Sequence, residues 1–263
     1  MLKFIGLGLH DENGISLIGL KEARESDVVF IELYTSAMPG LSLRRLKELL
    51  GKPALVLSRR EVEEEAEERI LKVAKERDVA FLTPGDPMNA TTHVDLRLRA
   101  EKAGIKTKVI HAASIFSAVA GATGLQSYKF GKAVTVPLVA VGEPPETPYN
   151  VIAENKRMGL HTLVLLDFNA ETGSYLTVQG ALRQLMLVEE RAGRGVATPS
   201  TLVVVAARVG SPDMKVKGTV IAEALKEDFG GPPISIVFPG RLHFVEAEAL
   251  KVLAGTEVPG GLK

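Results

Sequence analysis

Five short apolar runs, separated by four helix-forming stretches, constrain the first 111 residues more than any other feature of this chain. LKFIGL (2–7), DVVFIEL (27–33), PALVL (53–57), VAFLT (79–83) and TKVIH (107–111) have the length and the β-branched and aromatic content of buried strands. Segments 15–25, 42–50, 61–76 and 92–103 lie between them with helical patterning. Alternation of this kind implies a mainly parallel sheet, because each helical crossover returns the chain to the starting end, and it puts helices on the sheet faces. The acidic run EVEEEAEER (61–69) is then the wet side of a helix whose apolar stripe is Val62, Ile70, Val73 and Ala74.

After residue 111 the pattern changes. HAASIFSAVAGATGL (111–125) is small and apolar, with Gly121 and Gly124 able to end a helix. The apolar run KAVTVPLVAV (132–141) gives way to the turn-rich GEPPETP (142–148). Later strands are expected over 161–167, 201–209 and 233–240, with helices near 149–158, 176–191, 217–228 and 243–253. The expectation is an α/β protein of two lobes with mainly parallel, mixed sheets, residues 1–111 and 112–263. Loops at 84–93, 111–115, 166–175, 208–216 and 239–243 follow apolar strands, where open α/β sheets bind ligands.

Several chemistries are excluded or unsupported. The chain has no cysteine, which removes disulfides, thiolate metal sites and a cysteine nucleophile. His10, His93, His111, His161 and His243 show no metal-ligand spacing, so no metal is expected. The 32 acidic and 32 basic residues cancel, which argues against a nucleic-acid platform. No apolar run approaches the roughly 20 residues of a membrane span, and the start lacks a signal-peptide pattern. A soluble, cytoplasmic protein is expected. No GxSxG elbow and no GxxxxGK[ST] loop occurs. GLGL (6–9) lacks the third glycine of a dinucleotide fingerprint, since that position falls on Asp11. Either a cofactor loop without a pyrophosphate cradle or a plain tight turn accounts for it.

FLTPGDPMNATTH (81–93) carries two prolines around a Gly-Asp pair at the end of a strand. Pro84 and Pro87 fix φ and remove two backbone donors, so the loop is stiff. A stiff loop there, bearing one carboxylate, is either a ligand site or a rigid strand-to-helix turn. In HAASIF, Ser114 suits the N-cap of a small-residue helix, and the small side chains permit close approach of a flat ligand.

Taken in order, FIGLGLHDENGIS, VVFIELYTSAMPG, AFLTPGDPMNATTHVDLRLRA and VIHAASIFSAVAGATGLQSYKFGK resemble the diphthine synthases. GLHTLVLLDFNAETGSYLT, TLVVVAARVGS and IVFPGRLHFVEAEAL extend the likeness over nearly the whole chain. GLGL and PGDP alone indicate only the tetrapyrrole-methylase-like superfamily. YTS, TPGDPxxATTH, HAxSI and LHxVEAE in succession are far more specific. The resemblance implies a methyltransferase using S-adenosyl-L-methionine and releasing S-adenosyl-L-homocysteine, with the cofactor in the cleft between two lobes. Its substrate would be the 3-amino-3-carboxypropyl-histidine of translation elongation factor 2, methylated repeatedly on the amine to give diphthine. A homodimer is implied, without nucleic acid or membrane.

Carried over motif by motif, the resemblance assigns Leu9, Asp86, Asn89, Ser114, Ile115, Leu166, Val209 and Ile234 to the cofactor. Ile234 stands where some relatives carry a histidine. Methyl transfer from a sulfonium needs positioning and exclusion of water more than a nucleophile or metal. Asp86, His93 and Tyr34 are candidates for a general base by location alone. Two other readings are a precorrin-type tetrapyrrole methylase and a binding protein that keeps the fold without catalysis.

Overall fold

A computed structural model describes residues 1–139 and 142–258 of the chain. The backbone divides into two compact units, Met1–Ile115 with Ala170–Thr172, and Phe116–Asn169 with Gly173–Lys263. The expected run 132–141 includes Ala140 and Val141, which lie outside the described residues.

The first unit runs β1 (Leu2–Gly6), α1 (Leu17–Glu25), β2 (Val28–Glu32), α2 (Leu43–Leu50), β3 (Leu55–Leu57), α3 (Arg59–Glu63), α4 (Lys72–Glu76), β4 (Val79–Thr83), α5 (His93–Lys102) and β5 (Thr107–Ile110). Its sheet has the order β3-β2-β4-β1-β5, and every pair is parallel. Strand periodicity sorts the side chains between two cores. Phe4, Phe30 and Phe81 share one face with Val62, Ile70, Leu71 and Leu96 from α3 to α5. Ile5, Ile31 and Leu82 share the other with Ala23, Leu46 and Leu50 of α1 and α2. Phe4 and Phe81 meet edge to face at 5.9 Å, and burying each such ring contributes about 1.5–3 kcal/mol.

Helix ends in this unit follow local chemistry. Ser16 and Ser42 accept from the N–H of Gly19 and Arg45, and Ser58 forms a capping box with Glu61. The single helix expected over 61–76 is interrupted. A π-helical turn, Glu67–Leu71, separates α3 from α4, and both Ile70 and Leu71 are buried there. Widening the turn admits two adjacent apolar side chains to the core. The acidic residues of the run keep to the outside, paired with Arg59, Arg60, Arg69, Lys72 and Lys75.

The second unit takes in α6 (Ile115–Thr123) apart from its first residue, which belongs to the first unit. It contains β6 (Val134–Val136), α7 (Thr147–Arg157), β7 (Thr162–Leu166), β8 (Phe168–Asn169), β9 (Ser174–Tyr175), α8 (Val178–Ala192), β10 (Leu202–Ala207), β11 (Lys215–Val220), α9 (Ile221–Ala224), β12 (Ile234–Phe238) and α10 (Phe244–Leu253). The sheet order is β11-β10-β12-β7-β6. β6 and β7 are parallel, whereas β7, β12, β10 and β11 pair antiparallel. This sheet is therefore mixed, beside the wholly parallel one of the first unit. β8 and β9 make a separate short hairpin.

The helix expected over 217–228 is corrected. Residues 215–220 are the edge strand β11, and only Ile221–Ala224 is helical. KVKGTV alternates, and Gly218 allows a close neighbour: a Cβ there would lie 2.2 Å from Thr256 Cγ2. The Gly218 N–H donates to Ala254 O at 2.8 Å, so the residues after α10 brace this edge.

Candidate functional site

Three loops leave the carboxyl ends of the adjacent strands β4, β1 and β5, and the chain locks them together. The Leu7 N–H donates to Thr83 O at 2.8 Å. Gly8 and Gly85 exchange backbone hydrogen bonds, 3.2 Å in one direction and 2.7 Å in the other. Both have positive φ, +79° and +69°, which a side chain would resist. Gly6 is equally constrained by space: a Cβ there would sit 2.5 Å from Gly85 O and 2.6 Å from Ala112 Cβ. The glycines of GLGL and PGDP are needed so that one backbone can lie against another.

Asp86 completes the arrangement. It is 5 % exposed, and its Oδ1 accepts the Met88 N–H at 3.0 Å. Oδ2 accepts His111 Nδ1–H at 2.8 Å and the Ala112 N–H at 3.3 Å. Asn89 Nδ2 donates to Ser114 Oγ at 3.0 Å. The PGDP loop is thus tied by one carboxylate and one amide to the segment after β5. Leu9 and Ile115 are half-buried, Ser114 is buried and Asn89 is exposed. Leu9, Asp86, Asn89, Ser114 and Ile115 therefore gather at one end of one sheet.

A second set of polar groups lies at the neighbouring strand end. Glu32 closes β2, fully buried, and takes the N–H groups of Tyr34 and Thr35 and the Thr35 hydroxyl. Burial pushes its carboxyl up to about 7, against those three hydrogen bonds. His93 opens α5, also fully buried, and desolvation holds it down at about 4. Burial likewise raises the Tyr34 phenol above its ordinary range. Tyr34 and His93 had been candidates by location. Glu32 carried no signal beyond an acid ending an apolar strand before YTS.

In the second unit, Leu166 ends β7 and Ile234 begins β12, one step beyond the Ser235–Leu165 pair. Ile234 pairs across to Ala207 of β10, and Val209 follows two residues later. These three share one end of the second sheet. Between Ala207 and Val209 stands Arg208, at φ +49°, whose guanidinium reaches Asp213 Oδ2 at 2.5 Å, Phe229 O at 2.8 Å and Gly231 O at 3.0 Å. The guanidinium bonds compensate an unfavourable backbone conformation.

LHFVEAE (242–248) resolves into a buried hub. Glu246, fully buried, accepts the Gln126 N–H at 2.9 Å, the His243 N–H at 2.8 Å and His161 Nε2–H at 2.8 Å, and pairs with Lys129. His161 Nδ1 accepts the Gly240 N–H at 3.0 Å, which fixes the tautomer that donates to Glu246. Burial would raise the Glu246 carboxyl, but Lys129 and the other donors outweigh it and hold it down at about 2. Among the described residues, no three His, Asp or Glu side chains group as metal ligands, and no helix is long and apolar enough to cross a membrane.

Residues 1–225 match the family model described as Tetrapyrrole (Corrin/Porphyrin) Methylases. A diphthine synthase of Methanocella arvoryzae is 50 % identical over 258 residues, 98 % of this chain and 100 % of that protein. One of Methanosarcina barkeri is 49 % identical over 264 residues, 98 % of this chain and 97 % of that protein. A crystal structure of diphthine synthase superposes with a TM-score of 0.87 at 38 % identity, covering 99 % of this chain and 98 % of the other. Alike in sequence and in fold over nearly its whole length, the chain belongs to the tetrapyrrole methylase family and, within it, to the diphthine synthases.

Proposed function

We propose that the chain methylates the amine of the 3-amino-3-carboxypropyl group on the modified histidine of translation elongation factor 2, producing diphthine in diphthamide biosynthesis. S-adenosyl-L-methionine is the methyl donor in this reading. The single observation that carries it is the interlocked three-loop end of the first sheet, in a chain 50 % identical to a diphthine synthase over 98 % of its length.

The residues present suit such a donor. At Gly85 a Cβ would find only Ser114 Cβ, 3.9 Å away, so the backbone faces open space that a side chain would occupy. Leu9 and Ile115 offer aliphatic surface and Asn89 and Ser114 uncharged polar groups, a combination that suits an adenosine. Leu9, Asn89, Ser114 and Ile115 would hold the donor, as would Leu166, Val209 and Ile234. Asp86 adds one negative charge, favourable to a sulfonium, while anchoring the loops. The donor, when bound, supplies a methyl group activated by positive sulfur. The chain has to exclude water and orient the amine. The same reading includes a homodimer in the cytoplasm and no metal requirement, to be checked by analytical ultracentrifugation and by assay in the presence of a chelator.

The deciding experiment is mass spectrometry of elongation factor 2 carrying the precursor histidine after incubation with this protein and S-adenosylmethionine. A gain of successive methyl masses on that residue supports the assignment. An unchanged mass under conditions where the protein is folded rejects it.

A further inference from the structure

Glu32 lies beside Thr83, because the register of β2 along β4 sets Ile31 opposite Leu82 and the next residues follow. His93 closes the far side, with Nε2 4.0 Å from Glu32 Oε1 and Nδ1 3.1 Å from Pro87 O. A carbonyl can only accept, so Nδ1 carries the hydrogen and Nε2 of the neutral ring is a bare lone pair. Two acceptors then face each other away from water. Four buried polar atoms of the same unit have no partner in the protein: Tyr34 OH, two residues after Glu32, Thr83 Oγ1 beside it, Thr91 Oγ1 just before α5, and His93 Nε2 itself. Among the described residues the one other such atom is Gln184 Oε1, in the second unit. Each unmet group of this kind costs about 1–3 kcal/mol, so four in one unit require a mobile partner, a proton or a water.

The remaining charges near this cluster come from α3. The Arg59 guanidinium stands 5.4 Å from the Tyr34 ring centre, and Glu63 accepts the Thr92 hydroxyl at 3.1 Å. Neither supplies Nε2 or the free hydroxyls with a donor. Asp86, the buried carboxylate of the loop after β4, faces three donors and no bare acceptor.

We propose that Glu32 receives the proton that the substrate amine sheds before each methyl transfer, passed to it through the partnerless atoms Thr83 Oγ1, Tyr34 OH and His93 Nε2. The inference rests on the methyltransferase reading above. At neutral pH a primary alkyl amine is an ammonium. Its N–H bond breaks, the electron pair stays on nitrogen, and an O–H bond forms on the Glu32 carboxylate. The freed pair makes the new N–C bond while the C–S pair remains on sulfur. Glu32 then returns its proton to solvent before the next round. Burial places its titration close to neutrality, where it both takes and releases a proton.

The test is the single-turnover methylation rate of precursor elongation factor 2 at saturating S-adenosylmethionine, from pH 6 to 9. The wild-type rate should rise and flatten above about pH 7. Glu32→Gln should be about 100-fold slower at neutral pH and keep rising towards the ammonium's own ionisation, so that alkaline pH rescues it. Thr83→Val, which removes a hydroxyl that has no protein partner, should slow the reaction about tenfold at pH 7 with an unchanged melting temperature. Parallel pH profiles for wild type and Glu32→Gln, in an active wild type, overturn this inference alone. If Glu32→Gln does not fold, an unslowed Thr83→Val overturns it. A wild type that never methylates the factor removes both this inference and the function on which it rests.

Discussion

Asp86 and Glu246 are both buried carboxylates, and both serve mainly to organise backbone. At Asp86 the donors are two backbone N–H groups and one imidazole. Asp86→Asn keeps the shape but turns an NH2 towards one of those donors. It should lower stability by about 1–3 kcal/mol in denaturant titrations, and the loss should exceed any loss of affinity for the methyl donor in calorimetry. Glu246→Gln should be harsher, because Lys129 and His161 would then lose the acceptor they share. Lys129 retains some solvent, so we expect about 2–4 kcal/mol rather than the full cost of an unpaired buried charge. Legibility at this scale was uneven. Of the eight cofactor candidates, Leu166 and Ile234 stand at strand ends, Leu9, Asp86, Asn89, Ser114 and Val209 lie in segments that follow strands, and Ile115 opens α6. Glu32 escaped because its counterpart, His93, comes 61 positions later, and only the β2–β4 pairing brings their strand ends side by side. The role of LHFVEAE was hidden for the same reason, since Gln126 and Lys129 lie far upstream of Glu246.

Among the elements, β1 and β4 carry the strongest positional demand. Gly6→Ala would drive a methyl into Gly85 O and Ala112 Cβ, neither of which can rotate away. The loops would have to separate, costing about 1–3 kcal/mol or more. Binding of S-adenosylmethionine should weaken measurably by calorimetry, while the far-ultraviolet circular dichroism stays close to wild type. The buried strands of the first sheet were readable because both faces are covered and their apolar runs are continuous. β11 was not. Lys215, Lys217 and Thr219 give an edge strand a polar surface, and the following IAEA extends a helical pattern backwards over it. The break at Glu67–Leu71 was equally invisible, since the helical stripe of Val62, Ile70, Val73 and Ala74 cannot register one extra residue in a turn.

Across the whole molecule, three of the strongly shifted groups bear on how stability should change with pH. Glu246, held down at about 2 against an ordinary 4.5, contributes stability above pH 4.5 that is lost as pH falls towards 2. His93, held down at about 4 against 6.5, contributes above pH 6.5 and loses it as pH falls towards 4. Glu32 runs the other way: pushed up to about 7, it favours the fold below pH 4.5 and gives that contribution up as pH rises through 7. Chemical denaturation from pH 4 to 8 should therefore show the stability advantage of wild type over Glu32→Gln shrinking between about pH 4.5 and 7. A difference that does not change with pH would mean that Glu32 titrates alike in folded and unfolded chains. The reciprocal hydrogen bonds between Gly8 and Gly85 carry a separate consequence, for protein engineering. Neither loop is a module. Grafting residues 6–14 alone from an unrelated scaffold would strand the Gly85 N–H and its carbonyl, and grafting 84–89 alone would strand those of Gly8. A transplant that moves 6–14, 84–89 and 111–115 together would keep the Gly8–Gly85 pair and the bonds of Asp86 to His111 and Ala112, so these segments are best exchanged, shuffled or redesigned as one cassette.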